Sequence, residues 1–465
     1  MPRVPVALGF RSMQGRLGQD GACRLVNAYA EEVGEEGKVK AAIYPIDGMT
    51  RLGTLTGTGG VRAMLALSEG TLLVVAGRTL HSVDAAGTGT VVGGIASDGP
   101  VTMARNRRAT PQVAITVDGA SWIYEGGLLT PLGDADLDSS NSVTSLDGYF
   151  VWTHPDGGFS ISEVDGIGVS ALDTATAESN PDGAVRATTR GRDLLLYGNQ
   201  SLEFWQNVGS EFPFTRTTAI DVGAVSARSI ATMDQTVAWV AHDGTVRILN
   251  GYVADIISTE EVQRLIENEP AASDITGWSW NARGHTFYGI SGTNWTMVYD
   301  LKTKAWAERT SFGRDRYRIG SAVQWGDKAI FGDLDYGRIY RGSMNVFSED
   351  GDSIIWTVQQ PPITDFPYEA RLDAVYADFV TGVGVNTGVD QDDDPAVMLA
   401  YSDDGGLNWS AERHMRIGRQ GQTRHRVIAR RLGRIPAQGR TLRWTASAKV
   451  ARGLMDVQAD IEPLR

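Results

Sequence analysis

The sharpest short motif in the sequence is Ser402-Asp403-Asp404-Gly405-Gly406-Leu407-Asn408-Trp409, which matches the Asp-box pattern S-x-D-x-G-x-x-W. Its residue types suit a hairpin. Asp404 can accept backbone amides across the turn, Gly406 supplies a positive φ, and Trp409 packs on the hairpin body. The motif is therefore a folding device and does not by itself license catalysis. Glycoside cleavage would demand an arginine trio, a Tyr–Glu nucleophile pair and an acidic Asp converging on one face.

Other groups with chemical potential carry less. The run Asp390-Gln391-Asp392-Asp393-Asp394 offers hard carboxylate ligands, but it lacks the register of a calcium loop and reads as a solvated loop. His81, His154, His242, His285, His414 and His425 are scattered without metal-ligand spacing, so each reads as a turn or surface residue. Cys23 is the only cysteine and has no evident partner. G-x-S-x-G is absent, and GTGTVVGG at 87–94 does not resemble a phosphate loop opening a helix. Trp152, Trp205, Trp239, Trp306 and Trp325 read as blade core, not as sugar platforms. No catalytic, cofactor-binding or metal residue is assigned, and no cofactor is expected.

The elements that would position such groups are hairpins. In RDLLLYGNQSLEFW, residues 192–205, a polar turn leads into the apolar run 194–197. Gly198 and Asn199, both tolerant of positive φ, are expected to form a tight turn before a second strand at 201–205. Similar cores begin at Leu72, Gln112, Gly148, Arg192, Gln235, Gly284 and Asp327, spaced 36 to 49 residues apart. A period in the low forties with several strands per unit predicts a β-propeller, because one twisted sheet cannot bury both faces alone. Each unit is expected to end in a strand such as 122–124, 246–249, 295–299 or 338–340. A sandwich or jelly roll with evenly spaced strands is the alternative. Six or seven blades fit, since the N-terminal segment can complete the last one.

The fold class is thus all-β: a β-propeller of six or seven blades with an N-terminal extended segment and a C-terminal β-domain. Residues 1–60 are expected to pack on the propeller, with strands at 24–30 and 40–44, a turn at 35–38 and another at 45–49. The propeller is assigned to 61–345. One helix interrupts it: Ser258-Thr259-Glu260-Glu261 has the form of a capping box, with Val262, Leu265 and Ile266 at helical spacing until Pro270. An all-β domain is assigned to 346–465, where strands lengthen and loops widen.

Composition limits the partners. The 55 glycines among Val-, Thr- and aromatic-rich segments suit strands and turns. A net charge of −13 is not built to grip nucleic acid without specificity, though it would let a duplex pass unbound. Acids at 390–394 and arginines across 413–452 separate charge in the C-terminal part, which suggests docking of one copy or partner against another. The lone cysteine, the absence of a signal-like N-terminus and the shortness of the apolar runs predict a soluble protein of a reducing cytoplasm.

Four stretches carry a likeness. They are Leu25-Val26-Asn27 with Tyr44-Pro45 and Gly48; Ala177 to Gly183 leading to Arg192-Asp193 and Leu202-Glu203-Phe204-Trp205; Ser402 to Gly406 with Glu412-Arg413; and Arg426-Val427-Ile428-Ala429-Arg430-Arg431-Leu432-Gly433-Arg434. In order and spacing the chain resembles the packaged-DNA stabilisation proteins, or tail hub or nozzle proteins, of short-tailed bacteriophages. The resemblance implies a non-enzymatic virion component that forms a homohexameric ring below the portal and adaptor, extends the ejection channel and helps retain packaged DNA. Tail fibres or spikes and a plugging needle would attach to it, double-stranded DNA would pass without sequence-specific contact, and no membrane insertion is implied. Assembly would occur in the bacterial host cytoplasm. The rival readings are a propeller glycoside hydrolase of sialidase type, a carbohydrate-binding module, and a cytoplasmic propeller scaffold.

Overall fold

Each of the seven apolar runs picked out from the sequence is the second strand of an antiparallel blade in the computed structural model of the chain. The structure describes residues 3–15, 22–34, 38–68, 70–137, 139–177, 183–233 and 235–464. Most of the expected turn at 35–38, and residues 178–182 of the second family-like stretch, lie outside the described residues. Two compact units emerge: Arg51–Thr293 with Arg318–Arg341, and Met1–Thr50 with Asn294–Tyr317 and Gly342–Arg465.

The first unit is a propeller. Its inner strands are Val61–Ser68, Thr102–Arg105, Ser142–Leu146, Ala184–Arg190, Ala231–Met233, Thr276–Ala282 and Ile319–Trp325. Each packs on the next, and the last packs on the first, so seven blades close a circuit. The first five blades are complete four-stranded sheets in simple up-and-down order. In the seventh, the N-terminal side of the chain closes the ring: the Leu55 amide donates to the Gly337 carbonyl at 2.6 Å.

Second strands are legible because both their faces are buried. Leu72 and Val74 pack with Trp325 and Ile330 of the seventh blade, whereas Leu73 and Val75 pack with Ile115 and Val117 of the second. Likewise Leu194 and Leu196 face Val151 and Phe159, while Leu195 and Tyr197 face Val237 and Trp239. A strand buried on both sides has no polar face to alternate with, so it reads as an unbroken apolar run.

Three local expectations need correction. The strands at 122–124, 246–249 and 295–299 do not end their units: each lies within or overlaps a third strand and is followed by a fourth, Leu128–Pro131, Val253–Ile256 or Ala305–Glu308. The first two of these fourth strands are short and largely exposed, so no apolar run marks them. The Gly198 amide donates to the Ser201 carbonyl at 2.8 Å, but neither Gly198 nor Asn199 takes a positive φ. The helix, Glu260–Glu267, starts after Thr259, whose side chain makes no cap hydrogen bond. Ser258 Oγ instead accepts from the Val246 amide (3.0 Å) and Gln263 Nε2 (3.1 Å), tying the helix entry to the fifth blade.

The second unit is a sandwich of two sheets. One has the order Ala28–Glu32, Ala41–Pro45, Leu454–Leu464, Glu369–Phe379, Val427–Ile435, and Arg3–Pro5 also pairs with Leu454–Leu464. The other runs from the hairpin Thr296–Asp300/Ala305–Glu308 through Ala22–Val26, Trp356–Gln359, Thr441–Ala446 and Ala396–Ser402 to Arg413–Arg416. Between them lie Leu25, Leu372, Val375, Leu399 and Val457, with Phe379 meeting Trp356 and Trp444 in T-shaped contacts.

Asn27 is the switch between the sheets. Its φ of 52° breaks the expected 24–30 strand into Ala22–Val26 and Ala28–Glu32. Asparagine tolerates that left-handed conformation. Its buried amide donates to the carbonyls of Thr310 (3.0 Å) and Ile355 (2.9 Å) and accepts from the Thr310 amide (3.1 Å).

Candidate assembly surface

The arginine-rich stretch folds as the edge of the sandwich. Val427–Ile435 pairs with Glu369–Phe379 on one side and ends the sheet on the other. Its pairing shifts register between Leu372 and Ala374, opposite Arg431 at φ 58° and Gly433 at φ 83°. That bulge explains why Arg430 and Arg431 are both exposed although they are neighbours on a strand.

A free strand edge invites pairing with another chain unless it is covered. Here guanidinium groups cover it. Arg413 donates to the carbonyls of Arg430 (2.7 Å) and Arg431 (3.2 Å). Arg440 donates to those of Leu432 and Arg434, the latter at 2.8 Å. Arg440 is buried, grips Asp403 through two 2.6 Å bonds and stacks on Tyr401 at 3.9 Å. Backbone pairing along this edge is therefore blocked, and what it offers a partner is charge.

That charge is unevenly spent. Arg416 and Arg419 pair with Asp394 at 3.1 and 3.2 Å, and Arg434 pairs with Glu369 at 2.6 Å. Arg452 lies inside, donating to the Ala448 and Ile354 carbonyls, and burial pushes its pKa down to about 10. Arg424, Arg426, Arg430 and Arg431 remain exposed on the edge and its approach. The sequence marked the whole stretch as basic but could not separate these four from the committed ones.

The Asp-box is built as its residue types predict. Asp404 accepts from the Asn408 amide (2.9 Å) and side chain (2.7 Å) and from Ser402 Oγ (2.7 Å); Gly405 and Gly406 have φ of 75° and 95°. The Asn408 amide, then its side chain and Ser402, hold the Asp404 carboxyl down at about 2. A general acid in glycoside cleavage needs the opposite shift. Arg443 covers the Trp409 ring at 3.9 Å, occupying a face a sugar would need.

The remaining candidates resolve into structure. The acidic run is not a solvated loop. Asp390–Asp393 is a helical turn in which Asp392 accepts the Lys449 amide (2.7 Å) and Asp393 accepts the amides of Thr387 and Gly388 (2.7 and 3.0 Å). His81, His154 and His285 are buried where turn or surface residues were expected; His154 does open a turn, its carbonyl accepting the Gly157 amide at 3.1 Å, and its ring bridges the Ser139 carbonyl and Ser160 Oγ. His242, His414 and His425 are exposed. Cys23 is partly buried, with its thiol pKa pushed up by desolvation. Among the described residues no cluster of His, Cys, Asp and Glu could hold a metal. The five blade-type tryptophans are all buried, and among the described residues no helix is long and apolar enough to cross a membrane.

A family model described as the β-propeller of bacteriophage P22 Gp10 matches residues 24–345, and one described as its β-sandwich matches residues 375–462. No curated protein matches the chain. Similar solved structures include the WD40 propeller domain of Doa1 (14% identity, TM-score 0.43, covering 64% of this chain and 97% of that one). U3-55K is 11% identical with a TM-score of 0.45, covering 64% and 98%. The Pan2 WD40 domain of Neurospora crassa is 10% identical with a TM-score of 0.43, covering 64% and 96%. Propeller and sandwich are matched in order over most of the sequence, and the chain belongs to the bacteriophage P22 Gp10 family of phage packaged-DNA stabilisation, or tail hub, proteins.

Proposed function

We propose that copies of this chain form a ring in the phage tail, below the portal and its adaptor, which extends the DNA channel and helps keep the packaged genome from escaping. The observation that carries this reading is the family match across both propeller and sandwich. Two features support it. A net charge of −13 repels a phosphate backbone, so a duplex can slide through the ring without sticking. Against that acidic background the exposed arginines at 424, 426, 430 and 431 suit contact with an acidic protein surface, on a second copy or on the adaptor. Retention is mechanical: a narrow conduit, plugged below by a needle protein and flanked by fibres or spikes, with no bond made or broken.

Electron microscopy of the purified chain, alone and with a portal–adaptor complex, tests this reading. Rings are expected, in free solution or on the adaptor. The double substitution Arg430→Glu/Arg431→Glu should abolish assembly while leaving the circular dichroism spectrum and unfolding midpoint unchanged. A chain that stays monomeric and ignores the adaptor would refute the ring. A ring whose lumen is lined by Arg424, Arg426, Arg430 and Arg431 would refute the sliding argument.

A further inference from the structure

At the axis of the propeller lies a cavity of about 390 Å³, walled by residues of the first, second, fourth, fifth, sixth and seventh blades. Three guanidinium groups line it: Arg62, Arg186 and Arg228. Arg62 is anchored by the carbonyls of Gly77 (2.8 Å), Ser97 (2.6 Å) and Gly99. Arg186 is anchored by those of Ala227 (2.9 Å) and Ile230 (3.1 Å). In both, Nε is buried without a hydrogen-bond partner. Among the described residues the Arg228 guanidinium makes one long bond, 3.3 Å to the Asp98 carbonyl, leaving most of its donors uncommitted.

Carboxylates balance this charge only in part, and without direct pairing: Asp98 and Asp118 both act on Arg62 from nearby. None of the three arginines forms an ion pair with a carboxylate among the described residues. Asp98 also lines the cavity, but its carboxylate is taken by Arg78, whose Nε donates at 2.9 Å. Burial lowers the pKa of Arg62, opposed by Asp98 and Asp118 and reinforced by the Arg228 and Arg78 charges. Burial lowers that of Arg186 as well. Gathering like charges in a partly desolvated space is costly unless an anion joins them.

We propose that this axial cavity binds a small phosphate-class oxyanion between Arg62, Arg186 and Arg228. Guanidinium forks match the oxygens of a phosphate, and a tetrahedral anion presents acceptors in several directions where a planar carboxylate presents two. The volume exceeds that of one phosphate group, so the anion is accommodated either free or as the head of a small monoester. Because Arg62, Arg186 and Arg228 belong to the first, fourth and fifth blades, a bound anion ties opposite sides of the ring together. The site does not depend on tail assembly.

The test is thermal unfolding and calorimetry on the full chain, with inorganic phosphate in one arm, glycerol phosphate in another and chloride at matched ionic strength as control. Both phosphates should raise the unfolding temperature saturably and chloride should not. A tighter response to glycerol phosphate would identify a monoester as the ligand, and an equal response would identify the free anion. Arg228→Gln, which removes no anchor of the fold, should weaken binding by roughly tenfold or more, as expected for loss of one charge-assisted contact. Arg228→Lys should restore part of it. The proposal is overturned if phosphate has no saturable effect, if chloride matches it, or if Arg228→Gln binds as the parent does.

Discussion

Propeller and sandwich use the same cation for the same backbone task with different results. In the propeller, Arg62 and Arg186 bind carbonyls near the axis, and the circuit of blades turns their charge inward. In the sandwich, Arg413 and Arg440 bind carbonyls of an unpaired edge strand, beside arginines that face outward. The blades leave only short outer edges, such as Leu128–Pro131 and Val253–Ile256, whereas the nine-residue edge of the sandwich is capped by guanidinium groups. Capping by arginine then leaves a cationic margin on an acidic protein, which is the raw material for an interface.

The two units also differ in how far apart their partners lie in the chain, and that difference can be tested. The largest effect is expected in the propeller. Trp239 is fully buried between blades and meets Tyr197 edge to face at 5.3 Å, so Trp239→Ala should cost about 3–5 kcal/mol in denaturant titration. A loss below 1 kcal/mol would mean that adjoining blades collapse into the gap, and the picture of rigid interblade packing would fail. In the sandwich, Asn27→Ala strands the carbonyls of Thr310 and Ile355 and should cost about 1–3 kcal/mol. Asn27→Asp, which keeps the acceptor but loses the donor, should rescue little; full rescue would show that left-handed tolerance alone matters there.

The smallest effect is pH-dependent and confined to the Asp-box. The folded pKa of Asp404 is depressed to about 2, so its contribution is present above the unfolded value and lost as pH falls through about 2. Acid titration followed by the Asn408 amide resonance should therefore show a midpoint near 2. A midpoint at the ordinary carboxylate value would show that the turn does not hold the carboxylate.

Legibility followed the geometry of burial. The seven second strands were visible because each is apolar on both faces, and the spacing of those runs carried the propeller. The fourth strands at 128–131 and 253–256 were not, because exposed residues such as Leu128 and Val253 obey no simple pattern. The Asp404 turn of the Asp-box was readable because its partners Ser402 and Asn408 lie within four residues, whereas the Arg440 grip on Asp403 and the Arg443 cover on Trp409 come from far along the chain. The Ser258 capping box was misread, because a competing amide from Val246, distant in sequence, claimed the hydroxyl. The axial arginines gave no sequence signal at all.

By itself, then, the sequence determined what is local or periodic: hairpins, an all-β class, the recurrence of blades, the acidic balance and the family likeness. Tertiary structure alone decided the number of blades, the splice at Asn27, the meeting of Arg3–Pro5 with Leu454–Leu464, and which arginines are spent on carbonyls. The physical reason is that these outcomes depend on backbone groups far away in the chain, whose positions no pattern of side chains records.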